Sequence, residues 1–270
     1  MPLNSALFST DEPARPLGEM PRPRTGAPAG QAHSVAKAVP LLRQYIRLLW
    51  GDGEASVPIA GALGAVVEAA SADEAAGRNP RLALFRTLHR LMSGTDAPGT
   101  LPPTRLSRAR QAVLLADLFG FHPTEVGQVL DVNGDEAARL IEEGRDALLH
   151  PHRARIVIVE DEPWIAADLE MIATDMGLDV AGIAATREAA LKLAQETKPD
   201  LVLADVYLAG GGDNVEGALD LKETAQAPVI YVTALADRLS TIANLDGAIV
   251  LPKPYRVATI KTAIGHALAP

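Results

Sequence analysis

Leu201-Val202-Leu203-Ala204-Asp205 is an apolar run that stops at a carboxylate. Short, branched-rich runs without alternation are the mark of strands buried on both faces of a parallel sheet. Three more follow the same rule. Ile156-Val157-Ile158-Val159 runs into Glu160-Asp161, Val229-Ile230-Tyr231-Val232 into Thr233, and Ala248-Ile249-Val250-Leu251 through Pro252 into Lys253. Helical stretches separate them: Pro163 to Met176, Arg187 to Glu196, Val215 to Thr224 and Arg256 to Leu268. Strand and helix in alternation predict right-handed crossovers and an open α/β sheet that binds ligands beyond the carboxyl ends of its strands. The five polar residues converge there.

Glu160, Asp161 and Asp205 in one cleft repel one another and call for a cation. Oxygen donors without His or Cys favour magnesium, which keeps several waters and takes one or two carboxylates plus phosphate oxygens. That inventory suits phosphoryl transfer, in which the protein positions groups and stabilises charge on the equatorial oxygens. Asp205 is the expected nucleophile and phosphoacceptor. Lys253 is expected to pair with a phosphoryl oxygen and Thr233 to hydrogen-bond to the group once formed.

On these residues, 154 to 268 resembles the receiver domain of two-component response regulators: an acid pair after the first strand, Asp after the third, Thr after the fourth and Lys-Pro after the fifth. The marker spacings are 44 residues (161 to 205), 28 (205 to 233) and 20 (233 to 253). The resemblance implies a five-stranded parallel sheet of flavodoxin and CheY type, and the backbone carbonyl of Tyr207 as a further metal ligand. A haloacid dehalogenase-like phosphatase is the nearest competitor, but it needs an Asp two residues beyond its nucleophile, and after Asp161 that place holds Pro163. Many receivers carry Tyr or Phe three residues before the Lys as a rotamer switch; Val250 stands there, so that device is not expected. Tyr255 is expected to pack.

The 270 residues predict two domains, and a 48% hydrophobic content suffices for real cores. No apolar run approaches the ~18 residues that span a bilayer, and no signal pattern opens the chain, so a cytoplasmic protein is expected. With no cysteine, disulfides, thiol catalysis and Cys-type zinc sites are excluded. The six histidines (33, 89, 122, 150, 152, 266) are scattered; His150 and His152 suit no helical metal pair and read as interdomain surface residues.

Residues 1–34, rich in Pro, Gly and small polar types, are expected to be a disordered leader. Residues 35–150 read as all-α. Pro40 reads as a first-turn proline before Leu41, Leu42, Tyr45, Leu48 and Leu49, with Gly51 ending the run. A second helix is predicted over Ser56 to Ala70, and a third is capped by Asn79 and opened by Pro80. After a turn-rich linker (94–104), Ser107 caps a helix through Leu118. Thr124 to Leu130 and Asp135 to Leu149 then form a helix-turn-helix.

These two units, 35–93 and 105–150, resemble regions two and four of extracytoplasmic-function sigma factors. The last helix departs from a DNA reader. It carries Asp135, Glu136, Glu142, Glu143 and Asp146 against Arg139 and Arg145, where major-groove recognition wants Arg, Lys, Asn or Gln facing bases and phosphates. Net charge is −2 over residues 1–150 and −7 over 151–270, within the chain's −9. A nucleic-acid module usually shows the opposite balance.

A sigma-like half without DNA-binding character ahead of a receiver resembles the PhyR-type response regulators of the alphaproteobacterial general stress response. Asn79 to Arg86, Phe121 to Glu125 and Val159 to Pro163 carry the likeness. It implies a non-enzymatic switch, phosphorylated by a sensor histidine kinase at Asp205. The sigma-like half then sequesters a NepR-like anti-sigma factor and frees a sigma factor. The unphosphorylated chain is expected to be closed, with receiver helices over part of the anti-sigma surface. The alternatives are a phosphorylation-activated DNA-binding transcription factor and a phosphotransfer intermediate.

Overall fold

The computed structural model describes residues 35–51, 63–64, 66–68, 70–71, 79–93, 101, 104–149, 153–208, 215–234 and 248–269. The 1–34 leader, most of the predicted 56–70 helix, most of the 94–104 linker and the His150/His152 pair lie outside them.

The amino-terminal half is helical. α1 spans Val35–Trp50 and α2 Pro80–Met92. Between them, residues 63–64, 66–68 and 70–71 are helical, with Val66 and Ala70 buried. Pro40 is not in the first turn of α1 but inside it. Ala38, in the turn ahead of the proline, is buried in the core, while Pro40 cannot donate the intrahelical hydrogen bond of its position. Asn79 caps α2 as predicted, its Oδ1 accepting from Arg81 N at 3.1 Å and Leu82 N at 3.2 Å.

α3, Arg108–Val113, is capped by Ser107, whose Oγ accepts from Arg110 N at 3.1 Å. The helix does not run on regularly to Leu118, because Leu114–Leu118 widens into a π-helical turn. Helix α4, Pro123–Leu130, opens on a capping box in which Glu125 Oε2 accepts from His122 N at 2.9 Å. Asp131, at φ 55, starts the turn into α5, Gly134–Leu148. One core joins all these helices. Tyr45 of α1 meets Phe85 of α2 at 5.2 Å between ring centroids and Phe119 at 5.3 Å, and Phe85 meets Phe121 at 4.9 Å.

The carboxyl-terminal half alternates: β1 Arg155–Val159, α6 Pro163–Asp175, β2 Asp179–Ala184, α7 Arg187–Thr197, β3 Leu201–Ala204, α8 Val215–Ala225, β4 Val229–Thr233, β5 Ile249–Pro252 and α9 Val257–Leu268. The sheet is parallel, in the order β2-β1-β3-β4-β5. Its two faces separate by the strand period of two. Ile156, Ile158, Leu201, Leu203, Ile230 and Val232 pack with α6 and α9, while Val157, Val159, Val202, Ala204 and Tyr231 pack with residues of α7 and α8. Sequence reading did not locate β2. It is an edge strand of Ala, Gly and half-covered positions, with no polar residue at its end to flag it.

Candidate functional site: a carboxylate cluster at the switch point

The strand order reverses between β1 and β3, whose neighbours β2 and β4 lie on opposite sides. Ligands of such sheets bind at this crevice, and the predicted residues lie at it. Glu160 and Asp161 leave β1, and Asp205 leaves β3 with its N–H donating to the Val159 carbonyl at 2.8 Å. Glu160, Asp161 and Asp205 each offer a carboxylate oxygen within 4.8 Å of the others.

Lys253 closes the site from the end of β5. Its Nζ donates to Glu160 Oε2 and to Asp205 Oδ2, each at 2.7 Å. Its backbone N–H donates to the Thr233 carbonyl at 2.9 Å, which ties the ends of β4 and β5 together. Thr233 is fully buried at the end of β4. The loop after β3 is held by Tyr207 N donating to Asp205 Oδ1 at 2.9 Å, so Tyr207 lies on the site's rim.

Burial raises the Glu160 carboxyl, and the Lys253 ammonium only partly reverses this. For Lys253 the balance is opposite. Burial pulls it down, but the hydrogen bonds and charges of Asp205 and Glu160 outweigh this and leave its pKa raised. The ammonium thus holds together carboxylates that repel one another. All the donors are oxygens, which suits a hard divalent cation. Glu160, Asp161 and Asp205 are the residues that fit one.

Tyr255 packs, as expected, and also donates its hydroxyl to Asp168 Oδ2 of α6 at 2.9 Å. Val250 is half-buried, and its carbonyl accepts from Gln44 of α1 at 3.2 Å. Sequence reasoning missed the contacts that join the helical half to the sheet domain. The most concentrated involve Asp117, an acid in an apolar stretch that is 2% exposed. Arg145 donates to both its carboxylate oxygens, at 3.0 and 2.6 Å, and α9 supplies further donors.

Residues 156–265 match the response regulator receiver domain family, and residues 106–147 match the sigma-like domain of the response regulator PhyR. The phyllosphere-induced regulator PhyR of Methylorubrum extorquens is 35% identical over 253 residues, 88% of this chain and 94% of that one. The chain belongs to the PhyR family of response regulators. The crystal structure of PhyR from Brucella abortus superposes with a TM-score of 0.71 at 30% identity, covering 88% of this chain and 93% of that one. The anti-anti-sigma factor PhyR from Bartonella quintana does so at 0.70 and 28%, covering 88% and 95%. The PhyR family is one of non-enzymatic signalling proteins, and it combines the helical and α/β halves seen here. Among the described residues no helix is long and apolar enough to cross a membrane.

Proposed function

We propose that this chain is a phosphorylation-gated anti-anti-sigma factor of the cytoplasm. A sensor histidine kinase phosphorylates Asp205. The sigma-like half, residues 35–150, then sequesters a NepR-like anti-sigma factor, and an extracytoplasmic-function sigma factor is freed for stress-response transcription. Residues 151–270 are the receiver in this reading, and residues 1–34 take no part in it.

The reaction forms a bond from a carboxylate oxygen of Asp205 to phosphorus and breaks the phosphorus–nitrogen bond of the donor's phosphohistidine, whose imidazole leaves. Magnesium, bound by Glu160, Asp161, Asp205 and the Tyr207 carbonyl, would neutralise charge on the phosphoryl oxygens. Lys253 stands 2.7 Å from Asp205 and can pair with a phosphoryl oxygen by giving up one carboxylate. Thr233, at the end of the neighbouring strand, supplies a hydroxyl donor.

The observation that carries this reading is the position of α9. It begins four residues after Lys253 and lies against the helical half, where Arg256 and Thr259 donate to the Asp117 carbonyl at 3.2 and 2.8 Å. A change in what Lys253 binds is therefore relayed directly to the contact between the halves. In the test, wild type and Asp205→Ala are treated with a small phosphodonor and magnesium, then offered an anti-sigma factor and duplex DNA in parallel. Anti-sigma binding that requires Asp205, without DNA binding, is the expected result. DNA binding that requires Asp205 would replace this reading with a transcription factor.

A further inference from the structure

Arg187 opens α7 at the carboxyl end of the sheet, directly after β2 and the capping Thr186. The sheet order puts β2 on one edge and β5 on the other, so Arg187 approaches the centre of the sheet from the side opposite Lys253. Arg187 and Asp205 line one cavity of about 20 Å³, together with Val159, Ala204, Leu221 and Tyr231. That is space for a single water and too little for a ligand. The guanidinium is incompletely paired. Its Nη2 donates to Asp220 Oδ2 of α8, but its Nε is buried without a hydrogen-bond partner. A buried donor left unmade is costly, and folded proteins keep few of them. The bond to Asp220 is also weakly held: the two side chains are 41% and 46% exposed, and ion pairs in that setting contribute little.

We infer that Arg187 is a second cationic ligand of the phosphoryl group on Asp205, and that it swings from Asp220 to a phosphoryl oxygen when the group forms. The inference rests on the phosphorylation of Asp205 proposed above and adds a residue to that site. In the unmodified protein both Asp205 carboxylate oxygens are taken, Oδ1 by Tyr207 N and Oδ2 by Lys253 Nζ, so Arg187 rests on Asp220 instead. A phosphoryl group brings three new acceptor oxygens and roughly two negative charges. A guanidinium meets such oxygens with a planar fork of donors, and a dianion in a half-buried cleft attracts it more strongly than one exposed carboxylate does. The buried Nε gains its missing acceptor, and the small cavity gives the side chain room to turn. Lys253 and Arg187 then hold the phosphoryl group from opposite edges of the sheet. Asp220 sets the affinity by competing for the arginine, and the exchange unties α7 from α8 on the sheet face opposite α6 and α9.

The test uses the full-length chain with magnesium and beryllofluoride, a stable mimic of a phosphoryl group on a carboxylate, titrated to an equilibrium dissociation constant. Arg187→Ala is expected to weaken beryllofluoride binding about tenfold, with melting temperature and the affinity for magnesium alone unchanged. Arg187→Lys is expected to recover part of the loss, and Asp220→Ala, which releases the arginine, to tighten binding about threefold. In wild type the Arg187 Nε–H resonance is expected to shift when beryllofluoride is added and not with magnesium alone. If Arg187→Ala binds beryllofluoride as wild type does, the inference fails. It fails equally if Asp220→Ala weakens binding as much as Arg187→Ala, because the pair is then a brace between α7 and α8. If wild type binds no beryllofluoride and Asp205 takes no phosphoryl group from a small phosphodonor, the phosphoacceptor reading itself fails and the role of Arg187 goes with it.

Discussion

Lys253 Nζ lies 2.7 Å from Asp205 Oδ2, and three residues later the chain reaches Arg256, which donates to the backbone of the helical half. The group that reads the charge state of the cleft is thereby covalently adjacent to the contact between the two halves. Modification of Asp205 adds roughly two negative charges beside that ammonium, and the first element able to respond is α9. The path from the site to the contact between the halves is one loop long.

Magnesium is expected to stabilise the protein through this cluster. Three carboxylates share the cleft, two of them bonded to the Lys253 ammonium, so a bound divalent cation relieves repulsion in the folded state alone. At a hundred times its dissociation constant the gain is about 2.7 kcal/mol. Thermal denaturation with and without magnesium measures it, and Asp205→Asn is expected to abolish most of the difference.

Acid is expected to loosen the contact between the halves. Arg110 Nε donates to His266 Nδ1 at 3.2 Å, which requires a neutral imidazole, and Arg110 Nη2 donates to the His266 carbonyl at 2.9 Å. Burial first, and the Arg110 charge second, lower His266 from the usual 6.5 to about 4. A depressed histidine gives its full contribution above its unfolded pKa and loses it as pH falls toward the folded value. Stability should therefore drop between pH 6.5 and 4. His89, also lowered to about 4 by burial and then Arg108, adds to the same limb. His266→Gln, which keeps an acceptor but does not titrate, should show a shallower decline in melting temperature over that window, and an unchanged slope would rule His266 out as a contributor.

Gly144→Ala is expected to destabilise the helical half despite alanine's better helix propensity. The added Cβ would run into the Ala109 carbonyl and come within 2.8 Å of Val113 Cγ1, where α5 crosses α3. Overpacking of this kind costs about 1–3 kcal/mol, which a lowered urea midpoint at unchanged slope would report.

Duplex DNA is expected not to bind at physiological salt, phosphorylated or not. The two arginines of α5 are already engaged. Arg139 bonds Glu136 at 2.6 Å and Glu143 at 3.0 Å, and Arg145 bonds Asp117 at 2.6 Å and Glu142 at 2.5 Å. A phosphate would have to displace carboxylates from both and approach an acidic helix. A mobility shift that weakens steeply with salt would contradict this.

What could be read from sequence followed from burial on both faces. Strands β1, β3, β4 and β5 announce themselves as unbroken apolar runs, and each ends on the polar residue that the structure brings to the cleft. Edge strand β2, with a glycine at position 182 and half-covered side chains, carries no such signal. Pro40 misled because the helix begins five residues before it, at Val35, and a first-turn proline preference cannot signal that earlier start. Asp117 was invisible for a different reason. Nothing local explains an acid amid Leu114, Leu115, Ala116 and Leu118, because its partners lie 28 and 145 residues away. The marker residues were legible as types in an order; the contact they act through was not.

The most direct test of the account is a three-component mixture of this protein, a NepR-like anti-sigma factor and the sigma factor that it holds, with free sigma factor measured as phosphodonor and magnesium are added. The account predicts that sigma factor is released in proportion to phosphorylated protein, and that Asp205→Ala releases none. Release that is equal for wild type and Asp205→Ala would contradict it.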